Sequence, residues 1–196
     1  MNGRQRVAAL WVVCGVLSTP ARAQAPAVSP APATGAPTSD AVARPAEGLG
    51  VLRALAGSWD VAVTLFVRGQ PPVKLSGTSE NVWAVGGHFL QCTFTVGRGD
   101  TTVDGLTTYG YDRDRQEYFA VSVNTSAFPY SAMHGPYYDG SRSFVLRSEM
   151  ASSGGVRLKR REMIRLEGND RQIVEFFVEY AGAPPAKVLE AVFTRR

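Results

Sequence analysis

The sequence has few of the residues that carry the commonest kinds of protein chemistry. It contains two cysteines, Cys14 and Cys92, and two histidines, His88 and His134. Because Cys14 falls in a segment that we expect to be removed, Cys92 has no partner for an internal disulfide. The zinc, nucleophile-elbow, phosphate-loop and dinucleotide-loop motifs of many enzymes are also missing. The sequence therefore predicts no catalytic residue, no metal site and no cofactor.

A strong charge of either sign is missing too. The chain has 21 basic and 17 acidic residues. Arg4, Arg6 and Arg22 belong to the segment that we expect to be cleaved, so 18 basic residues remain against the same 17 acidic ones. The basic balance of the whole chain is therefore no sign of nucleic-acid binding, because most of the excess belongs to the segment that is removed. We expect no nucleic-acid partner, and the pattern does not indicate an oligomeric state.

No apolar run reaches the roughly 20 residues that span a bilayer. The run at 7–17 is shorter, follows Arg4 and Arg6, and precedes A-x-A patterns that end at Ala23 and Ala25. These are the parts of a cleaved export signal. The sequence predicts a signal peptide at 1–23, a bacterial periplasmic or secreted location, and no integral membrane span after cleavage.

Residues 24–47 are rich in Pro and Ala and contain no aromatic side chain. Such a segment buries too little apolar surface to offset the entropy lost on ordering. We expect a disordered linker here.

The remaining residues, 48–196, predict one all-β domain. A short helical turn comes first, and period-two alternation then recurs between turn-forming stretches, as at Trp59, Val61 and Val63. We count about ten short antiparallel strands, including a short one at 137–138, and interpret 126–136 as a loop. Sequential strands with short turns favour a closed up-and-down barrel. A sandwich is the alternative, although its Greek-key crossings usually need longer connections.

The stretch LAGSWD at 55–60 places Gly-x-Trp at the start of the first strand. This arrangement resembles the calycin superfamily, the lipocalin-like and fatty-acid-binding-protein-like barrels. The resemblance implies that Trp59 closes one end of the barrel. It also implies that a basic residue of the last strand, here Arg195, lies against the indole ring.

A wider set of motifs resembles one bacterial family, domain of unknown function 1579. The motifs are LRALAGSWDVAV, GQPP, GTSE, GGHFL, GYD and the terminal TRR, and they extend over residues 48–196. The resemblance implies a calycin-like barrel and no established activity. Where the family commonly has Trp-x-Asp after the GYD strand, this chain has Ser122, Val123 and Asn124.

Candidate ligand-binding residues are chosen for a position at a pocket or its mouth: His88, Tyr109, Asn124, Phe128, His134 and Tyr137. Several belong to the aromatic segment 126–138, which either covers a pocket mouth or fills the barrel end. A further stretch, RLKRRE at 157–162, is either a solvated strand face or turns Arg160 and Glu162 inward as a pair.

Three functions remain open at this point. Barrels of eight to ten strands enclose small ligands, so the first is an exported protein that binds a small apolar or amphipathic molecule. The second is an envelope interaction protein with a solid barrel. The third is an enzyme that acts on a barrel-bound molecule, although no acid–base pair within reach of one cavity is obvious.

Overall fold

The computed structural model describes residues 47–126, 129–151 and 157–196. The predicted signal peptide at 1–23, the linker at 24–47 except Glu47, and the candidate Phe128 lie outside the described residues and stay predictions. Within the described ranges, no helix has the length and apolar character needed to cross a membrane.

The described chain consists of strands preceded by one short helix. A 3-10 helix at Glu47–Leu55 comes first, and a one-turn 3-10 helix at Val85–Gly87 joins the second strand to the third. The strands are β1 (Gly57–Leu65), β2 (Val73–Ala84), β3 (Phe89–Arg98), β4 (Thr101–Asp112), β5 (Glu117–Asn124), β6 (Tyr130–Gly135), β7 (Tyr137–Tyr138), β8 (Ser143–Ala151), β9 (Arg157–Glu167), β10 (Arg171–Tyr180) and β11 (Ala186–Arg195).

These strands close into a barrel. Consecutive strands from β1 to β6 and from β8 to β11 pair antiparallel, and β11 returns to pair with β1, with Trp59 opposite Arg195. The ring closes between β6 and β8, where His134 is opposite Arg147. The two-residue β7 pairs with β8 and lies outside the ring. In the described part of the chain, ten strands thus form the closed antiparallel barrel, which confirms the predicted fold class.

One predicted element is wrong. Residues 126–136 were expected to form a loop, but 130–135 form β6, a member of the ring. Its inward residues are Ser131, Met133 and Gly135, all buried. Because two of the three are small or polar, the period-two signal is weak, and Pro129 and Pro136 on either side indicate a turn. The predicted strand at 137–138 exists, but it is not part of the ring.

The barrel has one filled end, which holds the larger part of the core. The 3-10 helix at Glu47–Leu55 covers this end and inserts Leu49, Leu52 and Leu55, each at most 5% exposed. They pack on inward side chains of the strands, among them Leu90, Met133, Phe144, Leu146 and Ile164. Full burial of one such side chain contributes about 1.5–3 kcal/mol. A smaller cluster on β1, β3 and β11 contains Val61, Val63, Val96 and Ala191.

Candidate functional site

The closed end of the barrel is organised around Trp59. Its side chain is 1% exposed, and its Nε1 donates a hydrogen bond to the Leu55 carbonyl at 3.0 Å. Asn81, also buried, donates from Nδ2 to the same carbonyl at 2.7 Å. A helix end leaves its last carbonyls without partners inside the helix. Trp59 and Asn81 therefore fix the point where the covering helix meets the barrel.

Arg195, on the last strand, completes this end. Its guanidinium carbon lies 4.2 Å from the centroid of the Trp59 ring, within cation–π distance. The same group donates to the carbonyls of Ala54 at 3.1 Å, Ala56 at 2.8 Å and Asn169 at 2.8 Å. The contact that the calycin resemblance implies is present. Its role in stabilising closure stays a prediction.

Gly57 explains the rest of the opening Gly-x-Trp motif. Its φ of +115° lies in a region that residues with a side chain rarely adopt. A Cβ at this position would also collide with the Nη1 atom of Arg195. The glycine therefore turns the chain from the helix into β1 and leaves room for the guanidinium.

An aromatic group fills the space beside the helix. Tyr118 donates its hydroxyl to the Gly48 carbonyl at 2.7 Å, and burial raises the pKa of Tyr118 to about 12. Its ring contacts those of Tyr111, Tyr137 and Phe144 at centroid distances of 5.0, 6.3 and 5.0 Å. These side chains tie the helix to β4, β5, β7 and β8. They belong to the filled end and do not line an open pocket.

The other half of the barrel interior is less completely filled. Several side chains that face inward from the middle of their strands keep partial exposure to solvent: Thr107, Tyr109, Ser122, Arg160 and Phe176. A side chain inside a ring of strands reaches solvent only when the interior beside it is open. The interior is therefore less tightly filled away from the helix than at the helix end.

Glu162 lies at the boundary between the filled and the open parts. It faces inward from β9, is 5% exposed, and accepts a hydrogen bond from the Tyr109 hydroxyl at 3.3 Å. Burial raises the pKa of Glu162 to about 7, although the Tyr109 hydrogen bond and the nearby charge of Arg160 oppose the shift. Burial, together with the charge of Glu162, also raises the pKa of Tyr109 well above its ordinary value. This carboxyl group therefore exchanges its proton near neutral pH.

Cys92 and Arg160 complete the polar surroundings of Glu162. Burial raises the pKa of the Cys92 thiol, and the charge of Glu162 adds to the shift, so the thiol stays protonated and is a poor nucleophile. Arg160 lies 5.8 Å from the centroid of the Phe176 ring, and burial lowers the pKa of its guanidinium. The interior thus offers a carboxyl and a guanidinium from β9, a phenol from β4 and a thiol from β3.

Smaller polar groups continue this surface along β4 and β5. Thr107 donates its hydroxyl to the Ser122 hydroxyl at 3.0 Å, and both face inward. A mixture of apolar walls with a few hydrogen-bonding groups is typical of sites for small molecules. In the described ranges, no three His, Cys, Asp or Glu side chains come together in a way that could hold a metal ion. The arrangement suits hydrogen bonding to a ligand and transfer of a proton.

The predicted site residues do not form one cluster. Tyr109 lines the interior beside Glu162, whereas Tyr137 belongs to the aromatic group at the filled end. His88 is half-buried in the turn before β3, where its backbone N–H donates to the Val85 carbonyl at 3.3 Å. Asn124 organises the end of β5, where its Oδ1 accepts from the Ser126 N–H at 2.9 Å.

His134 lies on the outer face of β6, with its ring 6.1 Å from that of Phe119. The structure therefore separates His134 from Tyr109, on the opposite face of the sheet. His134 was a candidate because the segment around it was predicted to be a loop over the barrel end. Because the segment forms β6 instead, His134 faces outward.

The set of candidates left out Glu162 and Cys92. The signal for both is the same alternation that predicted the strands. Glu162 shares its parity with Leu158, Ile164 and Leu166, and Cys92 shares its parity with Leu90. For RLKRRE the sequence leaves two arrangements open, a solvated face or an inward Arg160 and Glu162, and the structure shows the inward one.

Comparison with known proteins agrees with the fold. The profile of one family, described as protein of unknown function (DUF1579), matches residues 45–195. The S-type phycobiliprotein lyase CPES from Guillardia theta is structurally similar, with a TM-score of 0.51 and 9% identity over 74% of this chain and 89% of that one. Rv2717c from M. tuberculosis has a TM-score of 0.56 and 18% identity over 77% of this chain and 98% of that one. No curated protein matches. At these identities the two structures share the fold alone.

Proposed function

The chain belongs to the family of proteins of unknown function DUF1579, and on that premise we propose that it binds a small apolar or amphipathic molecule inside its calycin-like barrel. The observation that carries the proposal is the placement of Glu162. A carboxyl group that is 5% exposed, with one long hydrogen bond to Tyr109, is costly for the fold. Perturbed groups of this kind concentrate at functional sites.

The rim of the open end supports an apolar component of the ligand. Two large apolar side chains that face the interior remain exposed there: Met150 is 40% exposed and Tyr180 is 56% exposed. They lie at the ends of β8 and β10 that are remote from the helix. Exposed apolar groups gathered at one place mark sites for ligands or partners. An amphipathic molecule would place its polar group at Glu162 and Tyr109 and its apolar part toward this rim.

The similar structures are compatible with this proposal. One of them is named a phycobiliprotein lyase. At 9% identity this likeness shows the fold alone, and the fold itself does not fix the function.

Binding is tested with a neutral fluorescent probe, N-phenyl-1-naphthylamine, added to the purified protein. We expect a saturable rise in fluorescence, and we expect long-chain amphipathic molecules to displace the probe. Glu162→Gln should weaken displacement by polar-headed competitors about tenfold, since it changes a charge-assisted hydrogen bond. Glu167→Gln, on the outer face of the same strand, is the matched control and should leave it unchanged. No saturable signal, together with no small molecule released on denaturation, would refute the proposal.

A second candidate function follows from the same carboxyl. A general acid or base works best when its pKa is close to the operating pH, and the pKa of Glu162 is raised to about 7 beside the Tyr109 hydroxyl. We propose proton transfer to or from a bound molecule as the reaction class. Exchange of ligand hydrogen for deuterium in heavy water, followed by mass spectrometry, tests it. If exchange persists in Glu162→Gln, the Glu162 carboxyl is not the group that transfers the proton.

A further inference from the structure

A row of two arginines, a histidine and a phenylalanine crosses the outer surface where the barrel closes. His134 on β6 is opposite Arg147 on β8, and Arg147 is opposite Arg161 on β9. Phe177 on β10 is opposite Arg161 and continues the row. All four face outward, on the opposite side of the sheet from Glu162. Like charges directly opposite each other on neighbouring strands are unfavourable, so this row needs an explanation.

The two arginines of the row lack acidic partners. Among the residues that the structure describes, no carboxylate lies within ion-pair distance of Arg147 or Arg161. Arg147 makes only a 3.4 Å hydrogen bond to the Val145 carbonyl. Other outward cations nearby do have partners, for example Arg165 with Glu167 at 3.2 Å and Lys159 with Glu179 at 3.5 Å.

Two nitrogen atoms in this row are buried without a hydrogen-bond partner in the described structure: His134 Nδ1 and Arg161 Nε. A buried polar atom is almost always satisfied, so each exception calls for a cause such as a missing ion or ligand. That both exceptions fall in one row, on side chains flanking Arg147, indicates a common cause.

Two side chains of the row, Arg161 and His134, pack against aromatic rings. The Arg161 guanidinium carbon lies 4.4 Å from the centroid of the Phe177 ring. The His134 ring packs near Phe119 at 6.1 Å. Stacking on a ring fixes the plane of a guanidinium, and so reduces the entropy lost when its planar fork binds an oxyanion.

A surface depression of about 340 Å³ is lined by Arg147, Arg161 and Phe177, together with Lys159, Arg160, Glu149 and Glu179, and His134 lies beside it across the β6–β8 pair. Its far side carries the acidic side chains of Glu149 and Glu179, which are within ion-pair distance of Arg157 at 3.9 Å and Lys159 at 3.5 Å. Each of these acidic groups is thus paired with another cation and forms no ion pair with Arg147 or Arg161 in the described structure.

We propose that His134, Arg147 and Arg161 form a binding site for a phosphate oxyanion on the outer wall of the barrel. Arginine recognises phosphate through paired N–H donors, and hydrogen bonds between ionised groups are the stronger ones. The oxyanion would occupy the space between the guanidinium groups and give His134 Nδ1 and Arg161 Nε a partner. This site is separate from the interior site and does not depend on the proposed function.

The test is a titration of the folded protein with inorganic phosphate at constant ionic strength, followed by NMR of the histidine side-chain nitrogens. The chain has only two histidines, so His88, in the turn before β3, is an internal control. We expect a saturable shift of the His134 signals and none of the His88 signals. Arg147→Gln and Arg161→Gln should each weaken binding by about tenfold or more.

Two further variants separate a built site from general charge. Arg165→Gln removes the same charge from the outer face of β9 and should change the dissociation constant less than about twofold, as an exposed paired charge does. Arg161→Lys retains the charge but lacks the planar fork and Nε, and should weaken binding nearly as much as Arg161→Gln. Equal weakening by Arg165→Gln, or an unsaturable response, would overturn the proposal.

A parallel arm identifies the source of the phosphate group. Vesicles of phosphatidylglycerol and of phosphatidylcholine are sedimented with the protein. Binding to the anionic vesicles that Arg147→Gln and Arg161→Gln both abolish would assign the site to a lipid headgroup. Saturable binding of inorganic phosphate without vesicle binding would assign it to a free phosphate compound. Binding of neither would refute the site.

Discussion

Arg195 should contribute more to stability than its place at the end of the chain suggests. Its side chain is 29% exposed. Truncation to alanine removes two partly buried hydrogen bonds, to the Ala54 and Ala56 carbonyls, and a cation–π contact with Trp59. Each hydrogen bond contributes about 1 kcal/mol net and the cation–π contact about 1 kcal/mol. The exposed bond to Asn169 adds little. Arg195→Ala should therefore lower the free energy of unfolding by about 3 kcal/mol.

Urea denaturation of the wild type and the variant measures this difference directly. In a thermal scan the same loss corresponds to a midpoint roughly 6–12 °C lower for a domain of this size. Arg196→Ala is the matched control, because Arg196 is the adjacent arginine and contacts Glu80 at 2.6 Å and Asp60 at 3.6 Å on the surface. Exposed ion pairs of this kind contribute about 0–1 kcal/mol.

A double-mutant cycle isolates the ring contact. Trp59→Leu retains apolar bulk but removes the π system, so Arg195→Ala should cost about 1 kcal/mol less in that background than in the wild type. Additive losses would show that the guanidinium acts only through the helix carbonyls. An Arg195→Ala loss no larger than that of Arg196→Ala would refute the whole assignment of this end.

Two further predictions concern Glu162 and the glycine before Trp59. Because burial raises the pKa of Glu162 from 4.5 to about 7, the folded state binds this proton more tightly than the unfolded state does. The stabilisation that comes from this bound proton is complete below about pH 4.5 and is lost as the pH rises through 7. The stability of the wild type relative to Glu162→Gln should therefore fall by on the order of 3 kcal/mol between about pH 4 and pH 8. A pH-independent difference in urea denaturation would contradict this. Gly57→Ala should destabilise by about 1–3 kcal/mol, because of its positive φ and the neighbouring Arg195, whereas Gly50→Ala, which meets no neighbouring atom, should be neutral or stabilise by about 0.5 kcal/mol.

The sequence predicts most of the barrel because its inward faces are apolar and regular. Trp59, Val61 and Val63 alternate on β1, and the structure places all three inside. The same logic fails at β6, where Ser131 and Gly135 take inward positions without an apolar signal. The residues of β6 carry little apolar alternation, because pairing with the neighbouring strands is what holds this strand in place. Only the closed ring shows that a strand must lie between β5 and β8.

The site was less predictable than the fold, for a different reason. Alternation assigns Glu162 to the inner face, but local sequence does not reveal that Tyr109, 53 positions earlier, reaches it across the interior. Proximity of this kind depends on strand tilt and register, which neither residue encodes alone. His134 faces outward because it lies on β6. The failure to predict this strand therefore also led to the choice of His134 as a candidate ligand-binding residue.

The junction between β6 and β8 has a mechanical consequence for the whole cylinder. Every other junction of the ring is a ladder of several residue pairs, whereas here the described register is the single pair His134 and Arg147, supplemented by the Val145 N–H bond to the Pro136 carbonyl at 3.0 Å. Because this junction has the fewest backbone contacts, thermal opening of the barrel should begin here while the other strand pairs remain intact. Native-state hydrogen exchange would then be faster for the amides that face it than for those between β1 and β11. Such an opening would let a bulky ligand enter the barrel from the side, between β6 and β8, rather than through the rim.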